Sequence, residues 1–272
     1  MHFEKTTKIR ISYQLGHLEA GLRSFDRSMP EEINQLVTDS LADILWTPSP
    51  DAGENLEREG ISREKIQRVG NMRIDSLEML WGKIESHTVY RDFGLEPGKY
   101  GLVTLHRPSN VDHKEALKLI SQTLVRIVEK IPLIFPVHPR TRKNLDRNGL
   151  MSSLEKANGL SLIHPLSYIR FMNLVFNCRF AVTDSGGIQE ETTYFGIACL
   201  TMRPNTERPI TITLGTNQLC KADDLEEKVE KILNGNQVQK SKIELWDGQT
   251  AGRVVQSIRT FSDCQKLRVR DQ

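Results

Sequence analysis

The 272 residues are 38% hydrophobic and 26% charged, enough apolar material for a sizeable core in two lobes and unlike the composition of a disordered chain. Lysine and arginine outnumber aspartate and glutamate by only 37 to 35, so the net +2 excludes a broad electrostatic attraction to nucleic acid or membrane, and any anion must be bound locally. Cys178, Cys199, Cys220 and Cys264 form no CxxC pair, the first residues lack an apolar signal core and no long apolar run occurs, which together read as reduced thiols in a soluble, cytoplasmic protein.

Along the chain, a short strand precedes GHLEAGLRSFDRSMPEE (16–32). Pro30 opens a helix with acids at its positive end, and Ile33, Leu36, Val37, Ser40 and Leu41 mark one of its faces to about residue 42. A strand at 44–47, a helix at 50–59 stopped by Gly60, a strand at 66–69 and a longer helix from 70–71 to about 84 follow. Residues 94–99, GLEPGK, read as a loop between lobes. Strands at 101–105, 133–137, 160–163, 180–183 and 199–202 then alternate with helices at 113–129, 167–175 and 187–195, the rhythm of βαβ units around a buried parallel sheet. A last amphipathic helix, 247–261, stands apart from that rhythm. The second lobe thus holds a complete five- or six-stranded sheet, whereas the first supplies about three strands; that lobe is either small and partnered or truncated.

Ligands of such sheets sit beyond the carboxyl ends of the strands, where His106, His138, Asp184 and Arg203 all fall. The densest signal is TDSGGIQEE (183–191), a strand running into Asp-Ser-Gly-Gly and straight on into a helix. That turn can aim the Ser185 hydroxyl and free N–H groups at a phosphate, helped by the positive helix end; the plainer alternative is a tight turn with glycines for packing. Glu191, one turn into the helix, is placed to accept both hydroxyls of a ribose. Glu19 and Glu31 flank a loop as paired carboxylates suited to acid and base work, although Glu31 also fits a helix N-terminal acid and Glu19 a loop acid. His106-Arg107 and His138 repeat a strand-end histidine one unit apart, and Arg203, Glu207 and Arg208 add a charged loop at the same edge. There is no G-x-G-x-x-G, no G-x-x-x-x-G-K-[ST], no G-x-S-x-G elbow and no recognisable metal spacing.

HLEAGLRS (17–24), PEEINQ (30–35), VGNMRIDS (69–76), TLHRPSN (104–110), PVHPR (136–140), TDSGGIQEE (183–191) and MRPNTERPI (202–210) followed by Gly215-Thr216-Asn217 together resemble the non-hydrolysing UDP-N-acetylglucosamine 2-epimerases, in order from about Gly16 to Phe261. The resemblance implies an α/β protein of GT-B type: two Rossmann-like lobes facing a cleft, with the N-terminal lobe incomplete. The expected division is a partial first lobe at 1–85, a UDP-binding lobe at 86–246 and a returning helix at 247–272. It implies inversion at C2 of the sugar of UDP-N-acetylglucosamine to give UDP-N-acetylmannosamine, by elimination of UDP to a 2-acetamidoglucal and re-addition on the other face, with no redox cofactor and no metal. On that analogy Glu19 and Glu31 are the acid and base, and His106 meets the diphosphate as UDP leaves. Ser185, Gly186 and Gly187 bind phosphate, Glu191 binds the ribose, Phe171 packs on uracil, and Arg107, Arg203 and His138 line the same cleft. UDP-N-acetylglucosamine and UDP are the expected partners, and the family commonly forms homodimers. The family's Gly-Thr-Arg-Pro-Glu loop and His-Gly-Asp block are absent, and Met72 stands where threonine is usual, so the chain looks like an N-terminally shortened epimerase. Two other readings are a UDP- or nucleotide-sugar-binding remnant of that family without turnover and a GT-B glycosyltransferase; the HLEAGLRS and PEE blocks argue against the second.

Overall fold

The computed structural model of the protein describes residues 14–27, 29–236 and 241–270, with side chains described as far as Phe261. The first unit runs β1 (Gly16–Leu18), α1 (Pro30–Leu41), β2 (Ile44–Thr47), α2 (Pro50–Arg58) and β3 (Ile66–Arg68), and its three strands are parallel in the order β1-β2-β3. α3 (Met72–Glu85) leaves this sheet, starting from Asn71, whose side-chain oxygen accepts the Arg73 N–H as an N-cap.

The second unit runs β4 (Gly101–Thr104), α4 (Pro108–Val111), α5 (Lys114–Val128), β5 (Leu133–Pro136), α6 (Pro139–Arg147), α7 (Met151–Glu155), β6 (Leu160–Ile163), α8 (Tyr168–Asn177), β7 (Phe180–Thr183), α9 (Gly186–Phe195), β8 (Ala198–Thr201), α10 (Ile210–Thr213), β9 (Asn217–Leu219) and α11 (Ala222–Leu233). Its six strands are all parallel in the order β6-β5-β4-β7-β8-β9, which is the doubly wound order with its switch point between β4 and β7. Alternate side chains of each strand serve opposite faces. Val103, Phe135, Val182 and Leu200 pack with Leu124 and Ile127 of α5 and Leu225 and Val229 of α11, while Leu102, Ile134 and Ala181 pack with Leu77 and Ile84 of α3 and Met172 and Val175 of α8.

The strands expected in the second unit are present, and β9 and α11 extend it beyond the strand at 199–202 where the sequence reading stopped. β9 is three residues, Asn-Gln-Leu, held by its register against Cys199, Leu200 and Thr201 rather than by any apolar run of its own. α11 carries a helical signal in Leu225, Val229 and Ile232, all buried. The segment expected as a loop between lobes, 94–99, lies between a 3-10 turn at Val89–Phe93 and β4, and Gly98 N–H donates to Asn177 O at 2.8 Å, so it is tied to the second unit.

α12 (Thr250–Arg270) returns to the first sheet. Val254 and Phe261 pack on Ile44, Trp46 and Val69, and Trp46 Nε1–H donates to Ser257 Oγ at 2.8 Å. The free N–H groups of Thr250 and Ala251 at its first turn both donate to the Asp75 carboxylate of α3, at 3.0 and 2.7 Å, so the acid of VGNMRIDS joins the two helices.

The orientation of α1 departs from its sequence pattern. Ile33, Val37 and Leu41 of the apolar stripe are 42%, 53% and 66% exposed, whereas Glu32 and Asp39 are buried. The helix turns its acids inward because they accept hydrogen bonds from the loop at 17–25 that leads to it.

Candidate active site

The switch point carries the first cluster. β4 ends at Thr104 and leads to His106 and Arg107, and β7 ends at Thr183 and leads to Asp184 and Ser185. Asp184 is fully buried and accepts from the backbone N–H groups of His106 and Arg107, from Asn110 Nδ2 at 3.0 Å, and faces His106 Nδ1 at 3.1 Å. Burial opposes its ionisation, but the His106 and Asn110 side chains and the Arg107 N–H overcome it and hold the carboxyl below its ordinary range. Asp184 thus fixes the His106-Arg107 turn and leaves the partly exposed imidazole facing the strand ends. The His138 ring lies beside it, centroids 5.6 Å apart, and His138 Nδ1 accepts the Arg140 N–H at the start of α6.

The glycine turn carries the second. Ser185 is the N-cap residue of α9, yet its hydroxyl makes no capping bond to the helix. A Cβ on Gly186 would lie 2.5 Å from Arg208 Nη1, and one on Gly187 would lie 2.8 Å from Arg73 Nη1. The glycines therefore let two guanidiniums close over the first turn of a helix whose N–H groups and dipole already favour an anion. Glu190 serves both, Oε2 lying 2.9 Å from Arg208 Nε and 3.2 Å from Arg73 Nε, while its Oε1 accepts from Asn71 Nδ2 at 2.7 Å. Glu207 serves the rest, lying 2.5 Å from Arg208, 2.8 Å from Arg203 and 3.8 Å from Arg107. Burial opposes ionisation of Glu207 as well, but Arg208 and Arg203 bring it down to about 2. Two carboxylates, Glu190 and Glu207, thus answer four guanidiniums, Arg73, Arg107, Arg203 and Arg208, and Arg203 Nη1 is buried with no hydrogen-bond partner. Four guanidiniums gathered at a helix start, one of them with a buried unpartnered donor, suit a polyanion such as a diphosphate.

One turn further on, Glu191 is buried and accepts from the Tyr168 hydroxyl at 2.8 Å. Burial pushes its carboxyl up to about 7, with Tyr168 and Arg73 pulling the other way. Phe171, half-buried, sits one turn along α8 from Tyr168 and packs at the edge of the core shared by α3 and α8.

The first unit contributes from across the cleft. Glu19 follows β1 with φ of 63°, a left-handed backbone that is strained for any residue but glycine, asparagine or aspartate. Burial first, and then the neighbouring Glu190, raise its carboxyl above the usual range, against Arg208, Arg73 and His17. Glu19 is therefore brought to the same charges that surround the glycine turn. Glu31 lies exposed in the first turn of α1, and its field reaches Arg107. Arg203 touches the same loop, Nη2 lying 3.9 Å from Met29 Sδ, and Asn205 Nδ2 donates to Ser24 O at 3.4 Å.

The structure thus links Glu19, Arg107 and Arg203 to the charges around Ser185, Gly186 and Gly187, sets Glu191 one turn along the same helix, and holds His106 against Asp184 beside His138; Phe171 lies one turn from Tyr168, and the field of Glu31 reaches Arg107. Sequence reasoning passed over Arg73, Glu190 and Tyr168 as site residues, placed Asp184 at the ligand-facing strand ends without giving it a positioning role, and noted Arg208 only as part of a charged loop. Asp184 and Glu190 were visible as the acids of TDSGGIQEE, but Arg73 and Tyr168 lie on helices whose approach to that turn no local pattern encodes.

Comparison with known proteins agrees with this geometry. The profile of the family described as UDP-N-acetylglucosamine 2-epimerase matches residues 8–259. The UDP-N-acetylglucosamine 2-epimerase of Methanococcus maripaludis is 39% identical over 234 residues, 84% of this chain and 64% of that protein. The crystal structure of Methanocaldococcus jannaschii UDP-GlcNAc 2-epimerase in complex with UDP-GlcNAc and UDP superposes with a TM-score of 0.82 at 38% identity, covering 91% of this chain and 69% of that one. The UDP-GlcNAc 2-epimerase of Neisseria meningitidis bound to UDP-GlcNAc gives a TM-score of 0.81 at 28% identity, covering 91% of this chain and 70% of that one. The chain therefore spans 64% to 70% of the length of these relatives. A family match across nearly the whole chain, on a two-lobed α/β fold of GT-B type with its charges gathered at the switch point, establishes that the chain belongs to the UDP-N-acetylglucosamine 2-epimerase family.

Proposed function

We propose that this chain inverts C2 of the sugar of UDP-N-acetylglucosamine, giving UDP-N-acetylmannosamine, by elimination and re-addition of UDP. C2 has no adjacent carbonyl to acidify its proton, so departure of UDP must build positive character on the sugar first. The C1–O bond breaks with its electron pair leaving on UDP, a carboxylate takes the C2 proton, and the 2-acetamidoglucal remains in the cleft. UDP then re-adds at C1 while a proton is delivered to the other face of C2.

The diphosphate meets the N–H groups at the start of α9, Ser185, Gly186, Gly187 and the guanidiniums around them, with Arg107, Arg203, His106 and His138 on its leaving side. Glu191 accepts the ribose hydroxyls and Phe171 lies against uracil. Glu19, whose carboxyl keeps its proton to higher pH than an exposed glutamate, suits the proton-delivering role, and Glu31 at the rim the accepting one. No redox cofactor takes part in this route. The buried free thiols Cys178, Cys199 and Cys220 fit a cytoplasmic setting, and among the described residues no helix is long and apolar enough to cross a membrane.

The observation that carries the reading is the convergence of Glu19, from the first unit, on Glu190, Arg208 and Arg73 at the glycine turn of the second. The test is incubation with UDP-N-acetylglucosamine in deuterated water. Deuterium at C2 together with the manno product is expected. Saturable UDP binding without exchange overturns the reaction and leaves a nucleotide-sugar-binding protein.

A further inference from the structure

α1 exposes Ile33, Val37 and Leu41 and buries Glu32 and Asp39, an arrangement that forgoes apolar burial and places two acids out of water. What those acids hold is the loop that carries Glu19. Asp39, 1% exposed near the end of α1, lies with Oδ1 2.5 Å from His17 Nδ1, two residues before Glu19. Its Oδ2 accepts the Gly21 N–H at 3.1 Å, two residues after Glu19, and pairs with Arg23 Nη2 at 2.7 Å. Arg23, itself buried, is locked in turn by the Glu59 carboxylate through Nε and Nη2 at 2.8 and 2.7 Å. Two turns earlier on α1, Glu32 accepts from Ser24 N–H, Ser24 Oγ and Phe25 N–H at 2.7, 2.8 and 3.2 Å, closing the far end of the loop. Asp39 therefore grips the chain on both sides of Glu19, whose φ of 63° is a left-handed conformation that a glutamate keeps only when its surroundings hold it there. Gly21 is pressed against the start of α2, where a Cβ would lie 2.2 Å from Ala52 O, so the loop beyond Glu19 is packed close as well.

We propose that Asp39 is a positioning residue: by bridging His17, Gly21 and Arg23 it holds Glu19 in its left-handed conformation and so aims the Glu19 carboxyl into the cleft between the two sheets. The inference rests on the proposed C2 epimerisation for its kinetic consequence, but its structural half stands apart from that reaction.

The test uses Asp39→Asn in the full chain, which keeps the size of the side chain and one accepting oxygen but removes the charge that binds His17 and Arg23 together. Turnover is expected to fall roughly 10- to 100-fold through misplacement of Glu19, with KM for the sugar nucleotide and Kd for UDP changed by less than about twofold. In parallel, the Glu19 carboxyl carbon is titrated by NMR in labelled protein, its signal assigned through Glu19→Gln. It is expected to titrate above the usual range in the natural protein and to move toward that range in Asp39→Asn. A variant with lowered Tm but unchanged turnover per folded molecule and an unmoved Glu19 titration overturns the proposal and leaves Asp39 a stabilising residue only. Should Asp39→Asn not fold, His17→Asn cuts one arm of the clamp from its more exposed side, and the same two readouts decide. If the natural protein shows no C2 exchange, the proposed reaction has failed, and the Glu19 titration alone upholds or overturns the role of Asp39.

Discussion

Tyr168 of α8 and Glu191 of α9 meet at 2.8 Å, the phenol donating to a carboxylate that is almost wholly withdrawn from water. Burial raises Glu191 to about 7, so at neutral pH the group stands near its midpoint. Two ribose hydroxyls donating to it, in the role proposed above, would favour the ionised form. UDP should therefore bind more tightly as pH rises through 7 in the natural protein and lack this added dependence in Glu191→Gln. At pH 8 the substitution should weaken UDP by about 1–3 kcal/mol, the cost of mispairing a buried hydroxyl pair. Calorimetry at pH 6 and pH 8 measures both; equal affinities at pH 8 remove the ribose role.

The same carboxyl shapes the stability of the ligand-free protein with a definite sign. Its pKa is raised on folding, so the folded state keeps a proton that the unfolded chain releases. Stability from this group is full below the unfolded value of 4.5 and is lost as pH rises to about 7, a span worth about 3 kcal/mol at most. Glu191→Gln cannot ionise and should gain on the natural protein across that window. Denaturant midpoints at pH 4.5, 6 and 7.5 report the difference, and a constant gap between the two proteins contradicts the shift.

Asp184 stands at the opposite extreme, a buried carboxylate held charged by donors from β4 onward. Asp184→Ala leaves the N–H groups of His106 and Arg107 and the Asn110 amide without their acceptor, and should destabilise by roughly 3–5 kcal/mol. Asp184→Asn keeps one oxygen and should cost less, while still releasing His106. The order natural, Asn, Ala in denaturant midpoint is the measured outcome; an alanine variant as stable as the natural protein shows that the turn at 106–110 is held by other means.

The residues also show where the sequence was legible. The βαβ rhythm from Gly101 to Met202 is visible because each strand is a short apolar run and each helix repeats every three to four residues. The glycine turn is visible because a phosphate-binding helix start needs a particular local chemistry. α1 misleads for a physical reason: its period is helical, but Glu32 and Asp39 face inward because they hold the Glu19 loop, a tertiary demand that outweighs the burial of Ile33, Val37 and Leu41. Likewise β9 owes its place to pairing with β8 rather than to its own residues, and Arg73 reaches the glycine turn only because α3 packs against α9.

Two left-handed glycines should separate strain from crowding. Gly60 has φ of 86° with open space around its Cβ position, so Gly60→Ala should cost only the conformational penalty, roughly 1–2 kcal/mol. Gly21 has φ of 79°, and a Cβ would press on the Ala52 carbonyl of α2, adding roughly 1–3 kcal/mol of overpacking to the same penalty. Thermal unfolding of the two variants checks the ranking, and equal losses show that the 20–22 turn yields by moving away from α2.

Arg203 supplies the sharpest probe of what the cleft is charged for. It is 5% exposed, pairs with Glu207 at 2.8 Å, and keeps Nη1 buried without a partner. An arginine donor in that state is costly unless an anion completes it. Uridine and UDP share base and ribose and differ only in the diphosphate, so their affinity gap isolates the anion. Arg203→Gln should narrow that gap by about 1.5–3 kcal/mol, the worth of a hydrogen bond to a charged group, while leaving uridine binding nearly unchanged. The gap should also shrink with added salt in the natural protein more than in the variant, since one of the charges responsible is gone. Equal losses for uridine and UDP place Arg203 in the frame of the cleft, away from the diphosphate.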